Sequence, residues 1–205
     1  MKPVVHIVDD DESYRTATAR LLSAFGLKVE AYESGDQFLD RLPTCEPGCV
    51  LLDLQMPGLS GPQVQHRLST LAPLIPVVFL TGEGDIKAGV DAMKAGAQDF
   101  LEKTSSAAVL MEAIERALAQ YERRRAENDR LRKLRALIAS LSAREAEVFG
   151  LLIRGHLNKQ IAYALGISER TVKVHRHQVM EKLGARSLAE VVSIAADIGR
   201  TATPG

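Results

Sequence analysis

The sequence predicts an α/β fold: a five-stranded parallel (βα)5 sheet over residues 1–120, a helical linker over 121–138, and an all-α, four-helix helix-turn-helix domain over 139–205. Three observations predict it. Strand-like and helix-like segments alternate five times in the first part, an order that favours parallel strands with helices on both faces. Only helical spacing follows from Leu141 onward, with a glycine turn between a short helix and a longer one. The charge divides along the same line. Residues 1–120 hold 10 Lys/Arg against 17 Asp/Glu, and residues 121–205 hold 16 against 9. A formal net charge of zero therefore hides an acidic part and a basic part, which points to two domains with different partners.

The elements follow in order. Val4–Val8 is a short, mostly β-branched run, so a strand. Ser13–Phe25 carries apolar residues at helical spacing and stops at Gly26. Lys28–Tyr32 is strand-like, and Gly35–Leu42 helix-like. Val50–Leu54 is apolar apart from Asp53, as suits a strand buried on both faces. Gly61–Leu71 reads as a helix, Val77–Leu80 as a strand, Ile86–Ala95 as a helix and Phe100-Leu101 as the fifth strand. No breaker interrupts Ala107 to about Leu137. Positions 110, 114, 117, 121, 131 and 138 there track a heptad, which suggests a connecting helix or a weak coiled coil. Capping boxes at Ser142–Glu145 and Ser187–Glu190 open two helices of the last part. Asn158–Leu165, the turn Gly166-Ile167-Ser168 and a helix to about Leu183 lie between them.

Composition narrows the function. No stretch of about 18 apolar residues exists, so no membrane partner is expected. The apolar run near Met1 is too short for a signal peptide, and a cytoplasmic location is expected. Tryptophan is absent and aromatics make up 4%, which argues against carbohydrate-binding or base-stacking surfaces. Cys45 and Cys49 are too few for a disulfide scaffold and lack further ligands for a metal site. Cys49, next to an apolar strand, reads as core.

In an open parallel sheet, sites form beyond the carboxyl ends of the strands. Asp9, Asp10 and Asp11 stand at the end of the first strand, Asp53 of the third, Thr81 of the fourth and Lys103 of the fifth. Clustered carboxylates repel one another and are stable mainly around a hard cation. Oxygen donors with room for phosphate oxygens suit Mg²⁺. The chemistry that fits is phosphoryl transfer onto a carboxylate nucleophile, with a lysine and a hydroxyl on the phosphoryl oxygens. Asp53, alone at its strand end before a turn-rich segment, is the best nucleophile.

Val8-Asp9-Asp10-Asp11, Asp53-x-x-Met56-Pro57-Gly58, Thr81-Gly82 and Asp99-Phe100-Leu101-Glu102-Lys103 resemble the receiver domain of two-component response regulators. Thr81–Ile86 and Ala92–Ala97 look like the FixJ branch of the NarL/FixJ family. The resemblance implies a flavodoxin-like receiver with Asp53 as phosphoacceptor. It implies that Asp10, Asp53 and the Gln55 backbone carbonyl ligate Mg²⁺, with Asp9 acting through water. It implies that Lys103 pairs with the phosphoryl group, that Thr81 bonds to it and moves, and that Phe100 is the aromatic switch. The chain departs from the family at Thr104, where proline is usual. A cis bond without proline costs about 3 kcal/mol, which favours a trans Lys103–Thr104 bond or an altered loop. It departs again at Glu83 and Lys87, and Gly89 weakens its helix by about 1 kcal/mol.

In the basic part, Ser168–His177 reads as a recognition helix. Helical spacing puts Arg170, Lys173 and His177 on one face, Thr171, Val174 and Gln178 on the next, and turns Val172, Val179 and Leu183 inward. Asn158, Lys159, Lys182 and Ser187 suit phosphate contacts, and Arg176 joins the DNA-contacting set. Leu141-Ser142-x-Arg144-Glu145, Gly155-x-x-Asn158-Lys159-x-Ile161-Ala162 and Ser168-x-x-Thr171-Val172-Lys173-x-His175 resemble the LuxR-type DNA-binding domain. That resemblance implies base contacts from Lys173, Val174 and His177. His175 and His177 point to different faces and are not read as metal ligands.

The expectation is a phosphorylation-dependent transcription regulator, not an enzyme. Its expected partners are a sensor histidine kinase, double-stranded promoter DNA, RNA polymerase and, once phosphorylated, a second copy. The alternative is a phosphorylation-independent DNA-binding regulator with a degenerate receiver. An aspartyl-phosphate hydrolase would need a second Asp where Gln55 stands. A ligand-sensing LuxR-type regulator would need an apolar pocket signature, which the first half lacks.

Overall fold

The computed structural model describes residues 3–44, 46–82 and 86–200. Cys45, Glu83, Gly84 and Asp85 lie outside them. The chain separates into two compact units, Met1–Arg125 and Ala126–Gly205.

The first unit alternates strand and helix in the expected order. β1 (Val4–Val8), β2 (Lys28–Tyr32), β3 (Gly48–Asp53), β4 (Val77–Thr81) and β5 (Asp99–Glu102) form one sheet in the order β2-β1-β3-β4-β5. Every pairing is parallel. The helices between them are α1 (Glu12–Ala24), α2 (Gly35–Arg41), α3 (Gly61–Leu71) and α4 (Ile86–Lys94), and α5 (Ala107–Ala139) follows. The uniformly apolar runs are central strands: every residue of β1, β3 and β4 is buried. One core, around Phe38, Leu52, Val64 and Phe79, lies on one sheet face. The other, around Ile7, Leu22, Leu51 and Ile114, lies on the opposite face.

Local chemistry sets the helix starts. The Asp11 carboxylate accepts from the N–H groups of Ser13 and Tyr14 and opens α1. Gly61 opens α3 where a Cβ would stand 2.3 Å from the Asp53 carbonyl oxygen. Only glycine lets α3 leave so close to the strand end that carries Asp53.

The heptad spacing of α5 has a different explanation from a partner helix. Leu110, Ile114 and Ala117 belong to the second core of the first unit, and Tyr121 is buried. Leu131 is buried, and Ile138 packs into a core of the second unit. The positions read as a coiled-coil seam are core residues. The helix is continuous through the expected linker, 121–138.

The second unit adds α6 (Ala143–Leu152), α7 (Asn158–Leu165), α8 (Glu169–Leu183) and α9 (Leu188–Arg200). The Ser142 side chain caps Glu145 N–H, and the Glu145 carboxylate accepts from Ser142 N–H, a reciprocal capping box. The second predicted box is modified. Ser187 Oγ accepts from Glu190 N–H, but the Glu190 carboxylate takes the N–H of Arg186, one residue earlier. Gly166 adopts φ +64° to end α7, and Ser168 caps α8 two residues later, which makes the tight turn. Val172, Val179 and Leu183 face inward, as their spacing predicts.

Candidate functional site

The parallel sheet brings the strand ends together. Asp9 follows β1, Asp53 ends β3, Thr81 ends β4 and Lys103 follows β5. The Lys103 N–H donates to the Thr81 carbonyl at 2.7 Å, which extends the β4–β5 pairing to the lysine. Its ammonium nitrogen lies 2.8 Å from Asp9 Oδ2 and 2.9 Å from Asp53 Oδ2. The Asp9 side chain is fully buried, that of Asp53 nearly so, and that of Lys103 partly buried. Asp9 Oδ1 accepts from Asp11 N–H at 2.9 Å, and Asp53 Oδ1 from Gln55 N–H at 3.3 Å.

Burial pushes the Asp9 carboxyl above the usual carboxylate range, against the bonds from Lys103 and the Asp11 N–H. Burial also works against the Lys103 ammonium, but its hydrogen bonds to Asp9 and Asp53 prevail and raise it above the ordinary lysine value. The lysine is a fixed positive charge in an acidic pocket.

Asp9, Asp10 and Asp53 each offer a carboxylate oxygen within 4.8 Å of the others, Asp10 from the exposed side. An oxygen-only set of this size fits a hard divalent cation rather than zinc. Thr81 is buried, and Gln55 is exposed beside Asp53. Phe100, on β5, is half buried. Its ring packs on Gly89 of α4, where a Cβ would come within 3.1 Å of it. No cis peptide bond occurs among the described residues, so the Lys103–Thr104 bond is trans.

Sequence reasoning did not find two neighbours. Arg15 donates to the Asp9 carbonyl at 2.6 Å. The Tyr14 ring lies under the Lys103 ammonium, 4.8 Å from nitrogen to centroid. The Asp11 cap holds the signal, because it fixes the first turn of α1 beside the acidic turn.

In the second unit the predicted DNA-contacting residues divide. Arg170, Lys173, Val174 and His177 are exposed on α8, and Lys159 on α7. Thr171 is half buried, its hydroxyl 2.8 Å from Ser168 Oγ. Arg176 donates to the Asn158 side-chain oxygen and so ties α8 to α7. Lys182 pairs with the buried Glu145 carboxylate at 2.6 Å, and this pairing holds the Glu145 carboxyl below its usual range. Ser187 caps α9. His175 is bonded to Gln178. A residue outside the predicted set, Arg144, donates to the Leu165 carbonyl at the end of α7.

Residues 5–115 match the response regulator receiver domain, and residues 139–195 match the bacterial regulatory proteins of the luxR family. The chain is a two-component response regulator. It is 41% identical to the response regulator protein TodT of Pseudomonas putida over 93% of this chain and 84% of that one. It is 42% identical to the transcriptional regulatory protein FixJ of Rhizobium meliloti over 93% and 94%. Among solved structures, the response regulator StyR matches with a TM-score of 0.82 and 45% identity, covering 96% of this chain and 99% of that one. Full-length FixJ from B. japonicum matches with a TM-score of 0.60 and 38% identity, covering 98% of each chain.

A receiver joined to a LuxR-type domain makes this response regulator a transcription factor, and the pair supports DNA and a histidine kinase as partners. Its family is one of transcription regulators rather than of enzymes. Receivers typically bind Mg²⁺ at an acidic pocket such as this one. No helix of the described residues is long and apolar enough to cross a membrane.

Proposed function

We propose that Asp53 is the phosphoacceptor and that its phosphorylation controls DNA binding by the second unit. The observation that carries this reading is the Lys103 ammonium held between Asp9 and Asp53 at the strand ends. The Asp53 carboxylate attacks the phosphorus of a kinase phosphohistidine. The new O–P bond forms as the P–N bond breaks, and the imidazole leaves with the electron pair. Asp10, Asp53 and the Gln55 carbonyl would hold Mg²⁺, with Asp9 acting through water. When bound, the ion supplies charge neutralisation for the phosphoryl oxygens.

Lys103 turns from Asp53 to a phosphoryl oxygen, and the Thr81 hydroxyl donates to another. Phe100 follows Thr81. The altered surface pairs two copies, and the paired chains present two α8 helices to DNA half-sites. Lys173, Val174 and His177 read base edges. Arg170, Thr171 and Lys159 contact the backbone, while Arg176, Asn158, Lys182 and Ser187 hold α8 and its neighbours in place through their bonds inside the fold. The bound dimer contacts RNA polymerase, and the setting is the cytoplasm.

The test is intact mass measurement after incubation with acetyl phosphate, with and without Mg²⁺, on wild type and Asp53→Asn. A phosphoryl adduct that needs both Mg²⁺ and Asp53, and that tightens DNA binding, is the expected result. DNA binding equal in both forms overturns the switch and leaves a phosphorylation-independent regulator.

A further inference from the structure

Lys103 has a third neighbour besides its two carboxylates. The Tyr14 ring centroid lies 4.8 Å from its nitrogen, inside the roughly 6 Å over which an aromatic face attracts a cation. This ring is firmly seated. Tyr14 is half buried and packs on the core that contains Ile7 and Ile114. Its N–H is bonded to the Asp11 carboxylate at 3.1 Å, which ties the residue to the first turn of α1. The lysine stem, by contrast, is flexible and ends on groups it must give up.

Asp9 and Asp53, which hold the ammonium now, are two of the three carboxylates able to hold a divalent cation. A cation there competes for their oxygens and repels the ammonium. Among the described residues, Tyr14 is a neighbour of the ammonium that a cation does not draw away, because an aromatic ring is a poor ligand for a hard ion. We propose that Tyr14 is a positioning residue whose ring face keeps the Lys103 ammonium at the pocket when a divalent cation takes the carboxylates. The consequence for phosphoryl transfer rests on the Asp53 reading above; the retention itself does not.

Two measurements on the full chain keep these apart. The first follows the Lys103 ε-methylene protons by NMR, with Mg²⁺ alone as the probe. The expected result is an upfield ring-current shift in wild type and Tyr14→Phe that survives saturation with Mg²⁺ and is absent in Tyr14→Leu. A wild-type shift that collapses on Mg²⁺ addition overturns the proposal.

The second measures acetyl phosphate uptake at saturating Mg²⁺. Tyr14→Leu is expected to slow it by about 3–10-fold with Mg²⁺ affinity unchanged, and Tyr14→Phe to restore it. A trifluorinated phenylalanine at position 14 fills the same space with a depleted ring face, and is expected to fall between Phe and Leu. Equal rates for the fluorinated and ordinary phenylalanine variants show that the ring only packs, and overturn the role. If wild type takes up no phosphoryl group, the Asp53 reading fails, and the NMR result still decides the retention.

Discussion

In the first unit, three charged side chains of the site, Asp9, Asp53 and Lys103, are wholly or largely buried and already paired with one another. In the second, they fall into two sets, one paired inside the fold and one left exposed. Asp9, Asp53 and Lys103 illustrate the first case, with distances of 2.8 and 2.9 Å. Lys173 and Arg170 illustrate the exposed set, while Lys182 and Arg176, on the same helix, hold α8 to its neighbours. The difference follows from solvent. A buried charge without a partner is costly, so a buried site must be neutralised before its ligand arrives. An exposed cation is hydrated and can wait for a phosphate. Charge alone on a helix therefore does not mark a free cation; the partner inside the fold decides.

The comparison breaks most visibly at Lys103. Lys103→Met removes the cation from a fully buried carboxylate and should cost about 3–5 kcal/mol of stability. Urea melts should show the loss, with part of it regained in Mg²⁺. Unchanged stability would mean that pairing does not hold the acidic pocket together.

The second unit offers a sharper contrast between two lysines of one helix. Lys173→Ala should weaken binding to its own site by about 1–3 kcal/mol and leave the melting temperature in place. Lys182→Met should lower the melting temperature and leave the salt dependence of DNA binding nearly unchanged. Reversed results would exchange their roles.

The smallest effect concerns His6, fully buried on β1. Its ring bonds to the Glu46 carbonyl at 2.8 Å and the Tyr32 hydroxyl at 3.3 Å. Burial holds its pKa below 6.5, against the Glu46 carbonyl and the nearby Glu30 and Glu46 carboxylates. The folded state thus binds its proton less readily than the unfolded chain. Stability from a neutral His6 is whole above pH 6.5 and falls as pH drops through and below that value, by at most about 1.4 kcal/mol per pH unit. The wild-type minus His6→Gln difference in denaturant melts from pH 7.5 to 5.5 should show this slope. A flat difference would place the histidine proton outside the linkage.

Much of this was legible in the sequence, for identifiable reasons. An acid at the end of an apolar strand is conspicuous, so Asp53 stood out, and the parallel order brought Asp9, Thr81 and Lys103 to the same end. The inward turn of Val172, Val179 and Leu183 followed from helical spacing. The partners of Arg176 and Lys182 could not be read, because Asn158 and Glu145 lie 18 and 37 positions away and meet them only by packing. The α5 spacing predicts a connecting helix, and α5 runs unbroken from Ala107 to Ala139; what covers its apolar positions could not be read, because the same spacing serves a coiled coil and two separate cores. Tyr14 read as an ordinary helix residue because its importance lies in a lysine 89 positions further along.

Phe100 rests against the bare α-carbon of Gly89, and this contact limits how the protein can be made hardier. Alanine in place of a helical glycine is a routine gain of about 1 kcal/mol. At position 89 the added methyl would press three ring carbons at 3.1–3.2 Å. Heat resistance and the proposed movement of Phe100 compete for the same narrow space beside Gly89. Selection for a hot habitat would then strengthen α4 at other positions and leave this one empty.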